Sequence, residues 1–393
     1  MGILGIVAEY DPFHHGHLRH LEEARSRTGA ELTYVTLSSC FRQRGVPALL
    51  SPLDRARCAL EAGADAVFAL PVCWTLRDAE HYALGAVSLL GRLGVTQLAF
   101  GAETAEIGTL EAAAELLEAP TERFQEALRR RLDRGLGYPA AISGAYGETM
   151  PDRRNPLEQP NDILGVCYLR AIRRLGLSME PVVIPRRGSD REAAVDPVSP
   201  SATGLREALE RGDFSALRAL PAYSAEILRR RRLEDALPDL SLYGELVLAR
   251  LREMDDAALA RLPDLSEGLD RALRRAAAGA ARGEDVVTAL TGKRYPAARI
   301  RRICASALLG IQREELAKLP LPEEALLLGL RRNPDMTARW KRLDIPVISD
   351  FAAWQKAASP ADAAAWRLWA LLCHQPDTLP WGARMISLPE SES

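Results

Sequence analysis

Four of the six histidines in this 393-residue chain fall between positions 14 and 20, as His14, His15, His17 and His20, with Gly16 among them. Imidazole N–H groups at His14 and His17 can donate to anionic oxygens, and Gly16, lacking a Cβ, lets a ligand lie flat against the backbone. The apolar run Ile3 to Val7 precedes them, and Leu18, Leu21 and Ala24 follow at helical spacing, with Gly29 as C-cap. The stretch reads as a buried strand, a turn and a helix N-terminus, whose unpaired N–H groups and partial positive charge suit phosphate. A zinc cluster and a solvated turn are the other readings. Neither uses Gly16, and no Cys-x-x-Cys accompanies the histidines.

A second anion-binding helix start lies at Pro200-Ser201-Ala202-Thr203-Gly204-Leu205-Arg206, where Ser201 or Thr203 can cap the helix and Arg206 falls on its first turn. Three further candidates sit beside strand or helix ends. Gly101 follows the run Thr96 to Phe100, Asn161 opens a helix as a natural N-cap, and Arg186 and Arg187 follow the run Glu180 to Ile184. The loop Ser38 to Gly45, with Arg42, Gln43 and Arg44, follows another strand pattern.

The elements that must position these residues alternate. Strands are expected at 3–7, 31–37, 66–70, 96–100 and 180–184, with helices between them, which implies an α/β, doubly wound parallel sheet. Ligands bind such sheets at strand C-termini, where the candidates stand. From about residue 213 the pattern turns helical, with helices expected at 214–232, 241–253, 265–281, 284–291, 296–312, 323–331 and 361–373. The division expected is 1–212 and a mostly α-helical 213–393. Within the latter, Lys293, Arg294, Tyr295, Arg299, Arg301 and Arg302 gather five cations around one tyrosine, a pattern suited to RNA phosphates and a stacked base. Arg229 to Arg232 reads as a solvated face, and five of the six tryptophans lie beyond residue 330, as core for the last part of the chain.

Composition sets bounds. The chain is 47% hydrophobic and 26% charged with a net charge of −2, so RNA contact must come from a local patch rather than a global charge. The six scattered cysteines favour free thiols in a reducing cytoplasm, and no run of about 18 apolar residues suggests a membrane span.

The His-x-Gly-His spacing after a first strand resembles the HIGH signature of the nucleotidyltransferase superfamily. The longer string Val7 to Leu18 resembles the bacterial tRNA(Met) cytidine acetate ligases. Gln43-Arg44-Gly45, the Pro160-Asn161-Asp162-Ile163-Leu164-Gly165 segment, the Ser201 to Arg206 stretch and the basic segment from Arg294 to Arg302 resemble the same family. The resemblance implies a HUP/Rossmann-like nucleotidyltransferase domain followed by a helical, tRNA-binding one. It implies an ATP site formed by Val7, Ala8, Glu9, Tyr10, Asp11, Pro12, Phe13, His14, His15, Gly16, His17, Leu18, Arg19 and His20, with Gly101, Asn161, Arg186, Ser201 and Thr203. Arg187 is the alternative to Arg186.

It further implies His14, His17 and Arg206 as catalytic residues, and ATP with Mg²⁺, acetate and elongator tRNA(Met) as substrates and partners. No resident metal ligands are expected. The chemistry implied is acetyl-adenylate formation, then transfer of the acetyl group to the wobble cytidine to give N4-acetylcytidine. A small-molecule adenylyltransferase and a non-catalytic nucleotide- or RNA-binding protein are the alternatives. The chain departs from the family's usual residues at Asp11, His15 and Ser39-Cys40. Asp11 is expected to bring negative charge near the phosphates unless it binds the metal or caps the helix.

Overall fold

The computed structural model describes residues 2–186, 202–266, 268–292, 294–377 and 383–390. Five strands form the parallel part of the sheet: β1 (Ile3–Ala8), β2 (Leu32–Ser38), β3 (Ala66–Leu70), β4 (Gln97–Ala102) and β5 (Glu180–Pro185), in the order β5-β4-β1-β2-β3. The order reverses between β1 and β4. This topological switch opens a crevice at their carboxyl ends, and Ala8 and Gly101 lie at its edge.

Successive side chains point to opposite faces, so each strand feeds two cores. Leu4, Ile6, Val35 and Leu37 pack on one face with the helices His15–Thr28 and Pro52–Glu61. Ile3, Tyr34, Phe68 and Phe100 pack on the other with the helices Ala79–Arg92, Ile107–Glu118 and Pro160–Arg174. With both faces covered, the strands carry apolar residues at nearly every position rather than in alternation.

Expectation and structure part company after residue 320. The segment expected as a helix at 323–331 is a strand, β6 (Ala325–Arg331), antiparallel to β3, and it also pairs with β7 (Val347–Ile348) and β8 (Ile386–Leu388). Its sequence, ALLLGLR, is an unbroken apolar run without β-branched residues, so periodicity cannot separate a strand from a buried helix. The tertiary setting decides. Leu326 and Leu328 enter one core while Ala325, Leu327 and Leu330 enter the other. Gly329 has no room for a Cβ, which would lie 2.8 Å from Leu60 and 3.0 Å from Ile386. The C-terminal part is therefore helical from Ala222 to Ala317 and then rejoins the sheet.

The late tryptophans pack as expected: Trp340, Trp354, Trp366 and Trp369 are buried. Trp340 lies over the sheet and donates to the Tyr34 hydroxyl at 3.1 Å, and Trp369 donates to the Ala48 carbonyl at 2.8 Å. Trp381 lies outside the described residues. The arginine run is exposed at Arg229, Arg230 and Arg232, a solvated face as expected, with Arg231 half-buried. Arg231 forms a two-pronged pair with the buried Asp54 at 2.8 and 3.0 Å, and Arg232 stacks on Phe214, 3.5 Å from the ring centroid. The Arg231 pair docks the helix Ala222–Leu233 onto Pro52–Glu61.

One side chain ties the strand ends together. Arg55, fully buried, donates to the carbonyls of Glu9 (2.7 Å), Ser38 (2.9 Å), Leu50 (3.0 Å) and Ser39. It thus fixes the exits of β1 and β2 and the returning loop in one hand. Replacing it with methionine, Arg55→Met, leaves four buried carbonyls without their donor. We expect a loss of about 3–5 kcal/mol of stability in urea unfolding. Arg55→Lys should recover less than half of it, because a single ammonium carries three donors and no planar fork.

Candidate active site

The crevice at the switch point is a cleft of about 600 Å³. Its lining includes Val7, Ala8, Glu9, Tyr10, Asp11, His14, Gly16, His17, Arg19, His20, Gly101, Asn161, Arg186, Thr203 and Arg206. Five separate stretches of sequence thus meet in one place. The strand-to-helix turn does not contribute all of its residues. Phe13 is fully buried in the core, Pro12 is buried behind the wall, Leu18 packs against the core, and His15 is half-buried beside the cleft. These four support the turn rather than line the cleft. Ser201 and Arg187 lie outside the described residues.

The histidines cap their own helix. His14 is the N-cap of His15–Thr28, and its Nδ1 accepts the Gly16 N–H at 3.0 Å. Nδ1 of His17 accepts the His14 N–H at 3.4 Å, closing a reciprocal capping box. With Nδ1 engaged as an acceptor, each neutral ring carries its proton on Nε2. The two rings stack with centroids 3.7 Å apart and 20° between planes. Sequence rules for caps favour Ser, Thr, Asp and Asn, so this use of histidine had no signal of its own.

Their electrostatics follow from burial and from the surrounding arginines. Burial first, then the Arg186 and Arg206 guanidinium groups, push the His14 pKa down to about 3. His17 is lowered well below its ordinary value by burial and by His14 and Arg186. His20 falls to about 4 for the same two leading reasons, burial and Arg186. At neutral pH, therefore, the rings are uncharged N–H donors, and the positive charge of the cleft belongs to arginine.

Arg206 is the fifth residue of the helix Ala202–Glu210, one turn in from Ala202, and Thr203 is inside that helix rather than its cap. Arg206 donates to the Asp11 carbonyl and, at 3.1 Å, to Thr203 Oγ1, so the two helix starts are joined through one guanidinium. Burial lowers its pKa to about 10, which leaves it charged. Asp11 is not the cap of the helix, a place His14 takes, and its carboxylate is engaged by a neighbouring loop. Its Oδ1 accepts the N–H groups of Leu49 (2.7 Å) and Leu50 (3.3 Å), and its Oδ2 pairs with Arg42 Nε at 3.4 Å. The substitution at 11 thus anchors a neighbouring loop. Ser39 and Cys40 are also buried, while Gln43 and Arg44 of the same loop line the cleft.

Gly101 faces Arg186: a Cβ there would lie 3.2 Å from Arg186 Cγ and 3.6 Å from His20 Cδ2. Asn161 is not the N-cap. Gln159 is, with Pro160 first in the helix, and Asn161 donates to Glu103 Oε1 at 2.6 Å. Glu103 also accepts the Asp162 N–H at 3.0 Å, while Asp162 accepts the Thr104 N–H and hydroxyl at 2.8 and 2.7 Å. This reciprocal latch joins the β4 exit to the helix Pro160–Arg174. Cleft residues not singled out by the sequence include Tyr82, Tyr168, Phe100 and Ala79. Ala79, Tyr82 and Tyr168 carry no local motif, because their helices reach the site only through packing, and Phe100 belongs to β4.

The basic segment is partly engaged within the fold. Arg302 is buried and pairs with Asp264 at 3.1 Å. Arg299 donates twice to the Asp264 carbonyl, at 2.9 and 2.6 Å, and stands 5.3 Å from the Tyr295 ring centroid. Tyr295 is half-buried and its hydroxyl accepts from Ser266 at 3.1 Å. These side chains hold the helix Ala297–Leu309 against the Asp264 turn, and Arg294 is exposed; Lys293 lies outside the described residues. Among the described residues, no group of three or more His, Cys, Asp or Glu side chains is arranged to hold a metal ion, and no helix is long and apolar enough to cross a membrane.

The depressed histidines have a stability consequence. A histidine that stays neutral when folded and titrates normally when unfolded leaves stability fully present above about pH 6.5. Stability is then lost as pH falls toward the folded value. For His14, lowered from 6.5 to about 3, the loss at pH 5 is about 2 kcal/mol. Melting of the ligand-free protein from pH 7 to pH 4 should show the decline, and His14→Asn, which keeps a capping acceptor, should make it shallower.

Comparison with known proteins accords with this geometry. A family model described as HIGH Nucleotidyl Transferase matches residues 1–378. The tRNA(Met) cytidine acetate ligase of Fervidobacterium nodosum is 33% identical, covering 92% of this chain and 87% of that protein. The one from Syntrophotalea carbinolica is 35% identical over 90% and 85%. The crystal structure of apo Thermotoga maritima TmcAL superposes with a TM-score of 0.93 at 27% identity, covering 99% of this chain and all of that one. The same protein bound with alpha-thio ATP gives 0.89 at 26% identity, over 99% and 100%. With residues 1–378 matched by the family model and relatives of 33% and 35% identity covered over most of their length, the chain belongs to the tRNA(Met) cytidine acetate ligase family of HIGH nucleotidyl transferases.

Proposed function

We propose that the chain activates acetate with ATP and transfers the acetyl group to the wobble cytidine of elongator tRNA(Met), giving N4-acetylcytidine. The observation that carries the reading is the meeting of His14, His17, Thr203 and Arg206 in one cleft at the switch point, on two helix starts joined through Arg206.

In the first half-reaction an acetate oxygen attacks the α-phosphorus of ATP and pyrophosphate leaves. No protein nucleophile is needed; the requirement is positioning and charge stabilisation. The Nε2–H groups of His14 and His17 would donate to the oxygens of the transferring phosphate. Being uncharged, they sharpen hydrogen bonding without competing with the arginines for counter-charge. Arg206 and Thr203 would hold the departing pyrophosphate, while Gly101, Asn161 and Arg186 would seat the nucleoside. Mg²⁺ is expected with the ATP, and when bound it would neutralise phosphate charge.

The RNA is assigned to the helical part, with Arg294 and Tyr295 as contacts, and residues 1–212 and 213–393 dividing the labour of ATP and tRNA. The six buried free cysteines support a reducing, cytoplasmic setting.

The direct test is acetate-dependent exchange of labelled pyrophosphate into ATP, followed by acetylation of tRNA(Met). His17→Ala should lower exchange by about 10²–10³-fold, the usual effect of deleting one preorganised donor. ATP binding without exchange, given acetate or related acids, would remove the ligase reading.

A further inference from the structure

The cleft has two unlike walls. On one face of the sheet stand the helices His15–Thr28 and Ala202–Glu210 with their histidines and arginines. On the other face, Tyr82 and Tyr168 line the cleft from the helices Ala79–Arg92 and Pro160–Arg174. Both tyrosines are 3% exposed. Tyr82 packs with Trp74 and Ala86, and Val7 and Leu164 rest on this cluster. Tyr168 lies against Phe100, with ring centroids 5.6 Å apart.

Glu9 stands between the walls, at the end of β1. Its Oε1 accepts the Gln43 N–H at 2.6 Å, and the Gln43 amide in turn donates to the Arg77 carbonyl at 2.7 Å. The carboxylate is therefore held in place by backbone. The Glu9 charge helps to raise the pKa of both tyrosines behind their burial, and it counters the fall at Arg206, so it reaches both walls.

Phosphate binding uses neither wall tyrosines nor a carboxylate. A flipped pyrimidine uses both: aromatic side chains supply stacking, and a carboxylate accepts from the cytosine N4 amine while repelling a keto oxygen at the same position. We propose that Tyr82, Tyr168 and Glu9 form the subsite for the acceptor cytosine, and that Glu9 takes the proton its exocyclic amine loses. The inference rests on the ligase reading above.

In the step it describes, the amine nitrogen attacks the acetyl carbon of acetyl-adenylate. The new C–N bond forms, the C–O bond to phosphate breaks, AMP leaves with that electron pair, and the amine proton passes to the free oxygen of Glu9.

Two measurements test it. Single-turnover transfer from supplied acetyl-adenylate to tRNA should fall at least 100-fold in Glu9→Gln, whose amide oxygen can still accept the Gln43 N–H. The loss should exceed that in pyrophosphate exchange. Independently of any variant, tRNA(Met) carrying 5-iodocytidine at the target position should photocrosslink in the wild-type protein to peptides containing Tyr82 or Tyr168. Transfer by Glu9→Gln within threefold of wild type, a loss no larger than that in exchange, or crosslinks confined to other peptides would each overturn the subsite. Wild-type protein without acetate-dependent exchange would instead remove the ligase reading and the subsite with it.

Discussion

A single buried guanidinium holds the mouth of the cleft in shape. Arg55 lies beneath the exits of β1 and β2 and satisfies four carbonyls that leave regular hydrogen bonding there. Strand ends are where a sheet must surrender its ladder, and a buried carbonyl without a donor is costly. Arg55 meets that cost from below, so the side chains above it are left for ligand. Burial lowers its pKa, and Asp11 and Glu9 oppose the fall. The substitution to Asp at 11 therefore sits within the electrostatic reach of this arginine while bonding the backbone of Leu49 and Leu50. Glu9, whose carbonyl Arg55 grips, also presents its carboxylate to the cleft.

The same loop meets the helical part of the chain. Gly45, at φ +80°, lies flush with the helix Ala297–Leu309: a Cβ would come within 2.4 Å of the Arg302 nitrogen. The Gly45 carbonyl also accepts from the Tyr243 hydroxyl at 3.2 Å. Gln43 and Arg44, just before Gly45 and lining the cleft, are thus built on the helix that carries the later part of the basic segment. That helix uses Arg299 and Arg302 to grip Asp264, so its arginines support the joint between the two parts. A cation-rich segment is not by itself a nucleic-acid surface; some of its charge serves the fold.

The charge pattern of the cleft divides labour by chemistry. Arginine supplies permanent positive charge, and its guanidinium geometry matches phosphate. The histidines, crowded by those arginines and by burial, stay neutral and act as directed donors. An imidazolium in their place would add charge repulsion to an already cationic wall. The capping box removes the remaining freedom by committing Nδ1 to the helix and Nε2 to the cleft.

Much of this was legible from local pattern. The five parallel strands, the strand-to-helix turn at His14 to His17 and the helix start at Thr203 to Arg206 are short-range features, set by apolar runs, glycines and spacing. What the sequence could not decide was everything that depends on distant partners. ALLLGLR is a strand because β3 offers it an edge and both faces are covered. Asn161 stands inside a helix because Pro160 starts it and Glu103, far away in sequence, holds it. Tyr82 and Tyr168 belong to the cleft because two helices pack side by side on one face of the sheet. Arg231, read as part of a solvated face, and Arg302, read as an RNA contact, meet carboxylates that the fold brings to them, and Arg55, which carries no motif, is enclosed by carbonyls. Local chemistry determined the elements and the anion-binding motifs. Only tertiary structure decided which polar groups were spent on satisfying the backbone and which remained to meet a substrate, because that choice depends on which donors and acceptors the fold buries together.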